Sequence, residues 1–162
     1  MTRRVHAGLL LTSLLTLSLP AAADDGKSSP AAICQEVGQN QHHFEYTSRA
    51  ALMNRAAERY QVVCPVVRDS MQVGVEWVEV VALDYHFSSD VSCSFYSRNR
   101  FGNDGWVSSA STRGVSNLWQ RLRFADDLRA FDEGLYYFTC YVPGVYQGFR
   151  SGLASYMVQE NG

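Results

Sequence analysis

A two-residue alternation of apolar side chains is the feature that most restricts the fold of this chain. Between residues 73 and 87 the odd positions are apolar except at Glu79. Val78, Val80 and Ala82 add apolar side chains at even positions. Because successive side chains of a strand point to opposite faces, the pattern predicts a long central strand covered on both sides for part of its length. The odd positions form the expected core face.

Further short strands follow along the chain. Cys93 and Phe95 alternate with polar residues, and Tyr136, Phe138 and Cys140 repeat the pattern. The string Gly-Asn-Asp-Gly at 102–105 predicts a hairpin turn, and 152–158 supplies a last strand. Several short strands without a long helix predict an all-β fold, an antiparallel β-sandwich of jelly-roll-like or immunoglobulin-like type. Residues 48–60 fit a helix or a strand, which leaves room for one short N-terminal helix.

The first residues have the composition of a secretory signal peptide. Arg3 and Arg4 precede an apolar run, and Pro20 stands before three alanines that suit a signal peptidase. The run is about 13 residues long, whereas a membrane span needs about 20. We therefore expect a signal peptide at 1–23, a flexible mature N-terminus at 24–33 and one sandwich domain at 34–160. This predicts a secreted or periplasmic protein with no membrane insertion after cleavage.

Export into an oxidising compartment makes the four cysteines candidates for disulfides. Cys34, Cys64, Cys93 and Cys140 allow three pairings, and their spacing favours Cys34–Cys64 with Cys93–Cys140. The cysteines lack the close pair spacing of a zinc site. The formal net charge of −2 argues against binding nucleic acid through net charge. On a strand, Arg98 and Arg100 would lie on one face, and so would Arg121 and Arg123. The simplest interpretation is that each of these faces is exposed to solvent.

Three motifs link the chain to other secreted proteins. They are the string Cys-Pro-Val-Val-Arg-Asp at 64–69, the string at 84–96 that ends in Asp-Val-Ser-Cys-Ser-Phe-Tyr, and Tyr-Tyr-Phe-Thr-Cys-Tyr-Val-Pro-Gly at 136–144. Together they resemble a group of small secreted bacterial proteins that share these elements. The resemblance covers most of 34–158 and implies an exported β-rich domain with the four cysteines as its framework. It implies no activity and no functional residue.

Several polar clusters are candidates for catalysis. Asp84 and His86 would share a strand face and could form a hydrolytic triad with a distant serine. The nearest approach to a nucleophile elbow, at 148–152, places Ser151 one position late. Glu79 interrupts an apolar face, and a buried carboxyl group is a candidate general acid. A solvent-exposed position beside a strand explains Asp84 and His86 more simply, and a strand bulge explains Glu79.

Metal ligands are the next possibility. His42, His43 and Glu45 carry suitable donors, but adjacent side chains on an extended segment point to opposite faces. The acidic residues before Gly134 do not have the alternating spacing of a calcium loop. We therefore expect no metal and no cofactor. Those acidic residues are Asp126, Asp127, Asp132 and Glu133.

Aromatic residues are the remaining signal for binding. Tyr137 and Tyr141 lie on the strand face opposite Cys140, and Trp106 and Trp119 add further rings. Exposed rings can stack on the apolar faces of sugars. These four residues are the predicted binding residues, and a glycan or an envelope protein is the expected partner. The leading hypothesis is a non-enzymatic binding or structural protein of the cell envelope. The alternative is a small secreted hydrolase that uses Asp84 and His86.

Overall fold

The computed structural model describes residues 26–38, 42–68, 74–103, 105–124, 131 and 133–160, so the predicted signal peptide at 1–23 lies outside it. Within the described residues no helix is both long and apolar enough to cross a membrane. The structure is almost entirely β, as predicted. A 3-10 turn spans Ala31–Ile33, and the strands are β1 Gly26–Pro30, β2 Gln35–Glu36, β3 Phe44–Tyr46, β4 Leu52–Asn54, β5 Tyr60–Pro65, β6 Val75–Leu83, β7 Ser92–Arg98, β8 Gly105–Ser111, β9 Gln120–Arg123, β10 Leu135–Val142 and β11 Gly152–Glu160.

The strands form two antiparallel sheets. The first sheet has the order β3-β4-β11-β6-β9, with β1 also paired to β11, and the second has the order β2-β5-β10-β7-β8. From β4 to β11 each connection crosses from one sheet to the other, except the β7–β8 hairpin. This arrangement is a jelly roll. The predicted β-sandwich is therefore confirmed, and of its two expected types the jelly roll is the one formed.

The core face of β6 is the even-numbered one, so the prediction of an odd-numbered core face is wrong. Val78, Val80 and Ala82 belong to the core cluster. Glu160 pairs with Val75 and Gln159 with Trp77, so β6 contains an extra residue at this point. The bulge reverses the alternation, because one added residue moves all later side chains to the other face. Trp77 and Glu79 consequently lie on the outer side of the first sheet.

The core between the sheets is centred on Phe138 of β10. Its ring centroid lies 5.1 Å from that of Phe95 on β7, 5.2 Å from Tyr156 on β11 and 5.6 Å from Phe124 after β9. Phe95 and Phe138 are fully buried, and burying a phenylalanine contributes about 2–3 kcal/mol. The alternation predicted for β7 and β10 is confirmed.

Both disulfides lie in the second sheet and have the pairing that the spacing favours. Cys93 and Cys140 face each other directly in the β7–β10 ladder and are bonded. Cys34, just before β2, is bonded to Cys64 of β5. Loops of this size restrict the unfolded chain by about 3–4 kcal/mol each in the entropy model. The disulfides therefore crosslink β5, β7 and β10, which include Phe95 and Phe138 of the core.

The beginning of the described chain is more ordered than expected. The flexible segment predicted at 24–33 includes β1, which pairs with β11 from Gly26↔Gln159 to Pro30↔Ser155, and Ala31 is fully buried. The free edge of β11 provides the hydrogen-bonding partner for this segment. Residues 48–60 form a turn, then β4 and a loop, so the short helix is absent there. Asn54 explains this, because its side chain bonds the backbone at Ala56 and Glu58 and so competes with helical hydrogen bonds.

Candidate binding site

Four connections meet at one end of the jelly roll. They are residues 55–59 between β4 and β5, 84–91 between β6 and β7, 112–119 between β8 and β9, and 143–151 between β10 and β11. All four cross between the sheets at the same end, which we call the loop end. Loops on a rigid β-scaffold are the usual place for binding residues.

Asp84 is the centre of the loop end. It follows β6 directly and is fully buried. Its Oδ1 accepts hydrogen bonds from the backbone N–H of His86 (2.9 Å) and from the hydroxyl of Ser151 (3.4 Å). Its Oδ2 accepts from the backbone N–H of Val91 (3.2 Å) and the hydroxyl of Thr112 (2.5 Å). One carboxylate therefore joins three of the four connections.

Ser151 extends these contacts to the fourth connection. Its hydroxyl accepts a hydrogen bond from the N–H of Tyr85 (3.0 Å), and its carbonyl accepts from the N–H of Asn54 (3.0 Å). Asn54 is fully buried, and its Nδ2 donates to the carbonyls of Glu58 and Val142, both at 2.9 Å. Buried polar groups with all partners in place make a site rigid. We call Asn54, Asp84, Thr112 and Ser151 the buried polar network.

The loop end also carries a cleft of about 340 Å³, the aromatic cleft. The ring of Tyr85, next to Asp84 in the chain, stacks on that of Phe149 at 5.2 Å. Phe87 is 74% exposed and Phe149 56% exposed. Two large apolar rings are therefore exposed along one cleft. The cleft is lined by Tyr85, Phe87, Val115, Tyr146, Gln147 and Phe149.

A tight hairpin positions one wall of the aromatic cleft. Tyr146 and Phe149 exchange two backbone hydrogen bonds, of 3.0 and 2.9 Å. Between them Gln147 and Gly148 both have positive φ, 52° and 83°, as a type I′ turn requires. Gln-Gly between two aromatic residues is the sequence signal that could have identified this hairpin. Residues 148–152 are also the nearest approach to a nucleophile elbow in the sequence, with Ser151 one position late.

The arrangement of Asp84, His86 and Ser151 favours a structural role over catalysis. In a hydrolytic triad the imidazole lies between the carboxylate and the hydroxyl. Here the Ser151 hydroxyl bonds to Asp84 directly, and both residues are fully buried. The Nδ1 of His86 accepts the N–H of Ser88 (3.3 Å), and its ring lies 5.1 Å from that of Tyr146.

Two of the predicted binding residues share a surface on the outer side of the second sheet. Tyr137 and Tyr141 point away from the core, as predicted, and we call this surface the tyrosine face. Tyr137 stacks on Tyr96 at 4.9 Å with nearly parallel rings. Arg98 lies over Tyr96 at 5.2 Å, and Arg59 lies over Tyr141 at 4.6 Å. Neighbouring side chains therefore occupy ring faces that a sugar would need.

The two tryptophans do not join the tyrosine face. Trp106 pairs with the buried Ser97 in the β7–β8 ladder, which places Trp106 on the side of the sheet opposite the tyrosines. Trp119 is the last residue of the 112–119 connection at the loop end, directly before β9 of the first sheet. The structure thus brings Tyr137 and Tyr141 together and separates them from Trp106 and Trp119.

Of the candidate metal ligands, His43 and Glu45 are engaged with other side chains. The Nδ1 of His43 bonds to Glu36, and its ring stacks on Tyr60 at 3.6 Å. Glu45 forms an ion pair with Arg150. Among the described residues no three histidine, cysteine or acidic side chains cluster as metal ligands. Of the acidic group before Gly134, Glu133 pairs with Arg100, and Asp126, Asp127 and Asp132 lie outside the described residues.

Glu79 is held by two arginines on the outer side of the first sheet. Its Oε1 lies 3.6 Å from Nε of Arg121, and its Oε2 accepts a hydrogen bond of 3.1 Å from Nε of Arg123. Arg121 and Arg123 share one strand face, as the sequence predicted. Glu79 is nevertheless only 4% exposed. An ion pair across two strands therefore explains the charged residue in the apolar pattern.

Two core tyrosines have raised pKa values. Burial raises the pKa of Tyr136 above its usual 10.0, and the nearby Arg68 opposes this effect. Burial also raises the pKa of Tyr156. Both rings belong to the core between the sheets and lie outside the aromatic cleft. These shifts therefore concern stability at high pH.

Comparisons with known proteins support the β-sandwich fold and go no further. No protein-family model matches the chain, and no curated protein matches it. A xylan-binding module, CBM15, is similar at 10% identity and a TM-score of 0.52, over 85% of this chain and 97% of the module. The GH26-CBM35 β-(1,4)-mannanase of Podospora anserina is similar at 10% identity and a TM-score of 0.52, over 86% of this chain and 28% of the enzyme. The mosquito-larvicidal Cry4Aa toxin of Bacillus thuringiensis is similar at 9% identity and a TM-score of 0.51, over 85% of this chain and 24% of the toxin.

Proposed function

We propose that this chain is an exported, non-enzymatic binding protein that holds a glycan in the aromatic cleft. The observation that carries the proposal is the exposure of Phe87 and Phe149 beside a cleft at the loop end. Flat apolar rings complement the C–H faces of pyranose sugars. His86 and Gln147, at the same end, can exchange hydrogen bonds with sugar hydroxyls.

The buried polar network supports the proposal because it limits movement of the cleft. Asp84 and Ser151 immediately adjoin the segments that carry Tyr85 and Phe149. A binding site that is already ordered loses less conformational entropy when its ligand binds. The disulfides support export, since such bonds persist in oxidising compartments. A xylan-binding module has the same fold, which supports the choice of a glycan as the first ligand class to test.

The test measures binding of xylan and mannan oligosaccharides, followed by a wider glycan array. We expect Phe149→Ala to weaken binding about tenfold, because a lost stacking contact costs about 1.4 kcal/mol. Phe101→Ala is the matched control, since Phe101 is 70% exposed and lies in the β7–β8 loop at the opposite end. It should leave the affinity unchanged.

Two outcomes would contradict the proposal. One is a glycan array without any ligand at millimolar concentration. The other is a bound glycan whose affinity falls with Tyr137→Ala and is unaffected by Phe149→Ala. The second outcome would place the site on the tyrosine face.

A further inference from the structure

A second surface has the features of an anion-binding site. It is the cleft of about 750 Å³ between the edge strands β8 and β9, which we call the arginine cleft. None of its lining residues lines the aromatic cleft. Its lining includes Arg113, Gln120, Arg121 and Arg123.

One buried carboxylate orients two of the three arginines. Glu79 contacts both Arg121 and Arg123 through their Nε atoms. The side chains of these arginines are 69% and 73% exposed, although Glu79 itself is buried. Among the described residues no hydrogen bond is recorded for the Nη groups of either arginine. The two arginines therefore retain N–H donors for an anion, while the Glu79 carboxylate fixes their orientation.

The third arginine is placed by its backbone. The N–H of Arg113 donates to Oε1 of Gln120 (3.0 Å), and Nε2 of Gln120 donates to the carbonyl of Gly114 (3.0 Å). These bonds attach the 112–119 connection to the first residue of β9. Three guanidinium groups and the Glu79 carboxylate give the arginine cleft a net positive charge, although the whole chain has a net charge of −2.

We propose that the arginine cleft binds an acidic polysaccharide whose carboxylate or sulfate groups contact the Nη groups of Arg121 and Arg123. A guanidinium fork matches the two oxygens of a carboxylate or a sulfate. Residues 109–111 of β8 also line the cleft. Single-stranded nucleic acid is less suitable, because it is usually held by bases stacked on aromatic rings and the lining contains none.

The test measures binding of polygalacturonate, a carboxylate polymer, and of dextran sulfate, a sulfate polymer, at low and high salt. We expect one of them to bind and its affinity to fall as salt is added, since charged contacts are screened. The double variant Arg121→Ala, Arg123→Ala should bind at least about tenfold more weakly, because each arginine supplies charge-assisted hydrogen bonds. The double lysine variant should also be weaker, since one ammonium group must serve both Glu79 and the ligand.

The matched control is Arg49→Ala, Arg100→Ala, which removes the same charge from two exposed arginines outside the cleft. It should change the affinity less than about twofold. Three results would overturn the proposal: no binding of either polymer at low salt, an equal loss in the control, or binding confined to anionic lipid vesicles or single-stranded DNA. Melting curves confirm that each variant folds. Phe149→Ala should leave polymer binding intact, so this test and that of the aromatic cleft can fail independently.

Discussion

Replacing Asp84 with asparagine keeps the size of the side chain and turns one acceptor oxygen into a donor. The carboxylate accepts two hydrogen bonds on each oxygen, and one of each pair comes from the backbone. If the amide nitrogen takes the place of Oδ2, it faces the N–H of Val91 at 3.2 Å. If it takes the place of Oδ1, it faces the N–H of His86 at 2.9 Å. In either orientation a main-chain donor meets another donor.

The cost of this change follows from the contacts that remain. The N–H of Val91 has a second acceptor, the hydroxyl of Thr112 at 3.0 Å, so the first orientation is the less unfavourable. A hydrogen bond to a charged group contributes about 1.5–3 kcal/mol, and the neutral amide weakens the contact that stays. We therefore expect Asp84→Asn to lower the free energy of unfolding by about 2–3 kcal/mol. For a domain of this size that corresponds to a melting temperature lower by about 10 °C.

Thermal and urea unfolding followed by circular dichroism measure this loss. Asp90→Asn is the matched control, because Asp90 lies in the same connection, is exposed and accepts one bond, from the N–H of Gly114 (3.2 Å). Its effect should stay within about 0.5 kcal/mol. The role assigned to the buried polar network is refuted if the two variants unfold at the same temperature. It is also refuted if Asp84→Asn is as stable as the unmodified protein.

Three further predictions concern the scaffold. Replacing Cys93 and Cys140 by alanine should lower the free energy of unfolding by about 4 kcal/mol in a urea titration, because their bond spans 47 residues of chain; an unchanged value would show that the bond does not restrict the unfolded chain. Gly144→Ala places a Cβ 2.1 Å from a backbone carbonyl oxygen and should lower the melting temperature by several degrees, whereas Gly26→Ala, with 3.7 Å to its nearest atom, should not. Because burial raises the pKa of Tyr136 above its unfolded value of 10.0, its contribution to stability is complete below that pH and is lost as the pH rises through the folded value. Urea unfolding between about pH 9 and pH 11 should show this decline, and it should be smaller in Tyr136→Phe.

The second sheet could be predicted from the sequence because its strands follow the two-residue period without interruption. Phe95 and Phe138 have the same parity as Cys93 and Cys140, so a core face with a disulfide in it was visible in the pattern. Cys93 and Cys140 are directly opposed in neighbouring strands, so their disulfide can be predicted without knowing where the other sheet lies. The hairpin that joins β7 to β8 was predictable for the same local reason.

The first sheet could not be predicted in the same way. β6 is apolar on both faces, so the period did not distinguish the core from the outer side. The deciding feature is the bulge opposite Gln159, which depends on the pairing with β11 and leaves no mark in β6 itself. Asp84 was noticed as a candidate, but its partners Thr112 and Ser151 come from distant segments. Only the crossing connections of the jelly roll bring them together.

The positions of the buried polar side chains connect the fold to the two proposed surfaces. An apolar core is the more stable way to fill the inside of a sandwich, because each buried polar group must be desolvated and then bonded. Of the six buried polar or charged residues in the described part of the chain, four form the network at the loop end, and Glu79 holds the arginine pair. Apolar residues at these positions could supply nearly the same stability to the sandwich. Their effect is to fix the positions of exposed groups, the rings of the aromatic cleft and the guanidinium groups of the arginine cleft. The buried polar side chains therefore lie where they hold the two proposed surfaces in place.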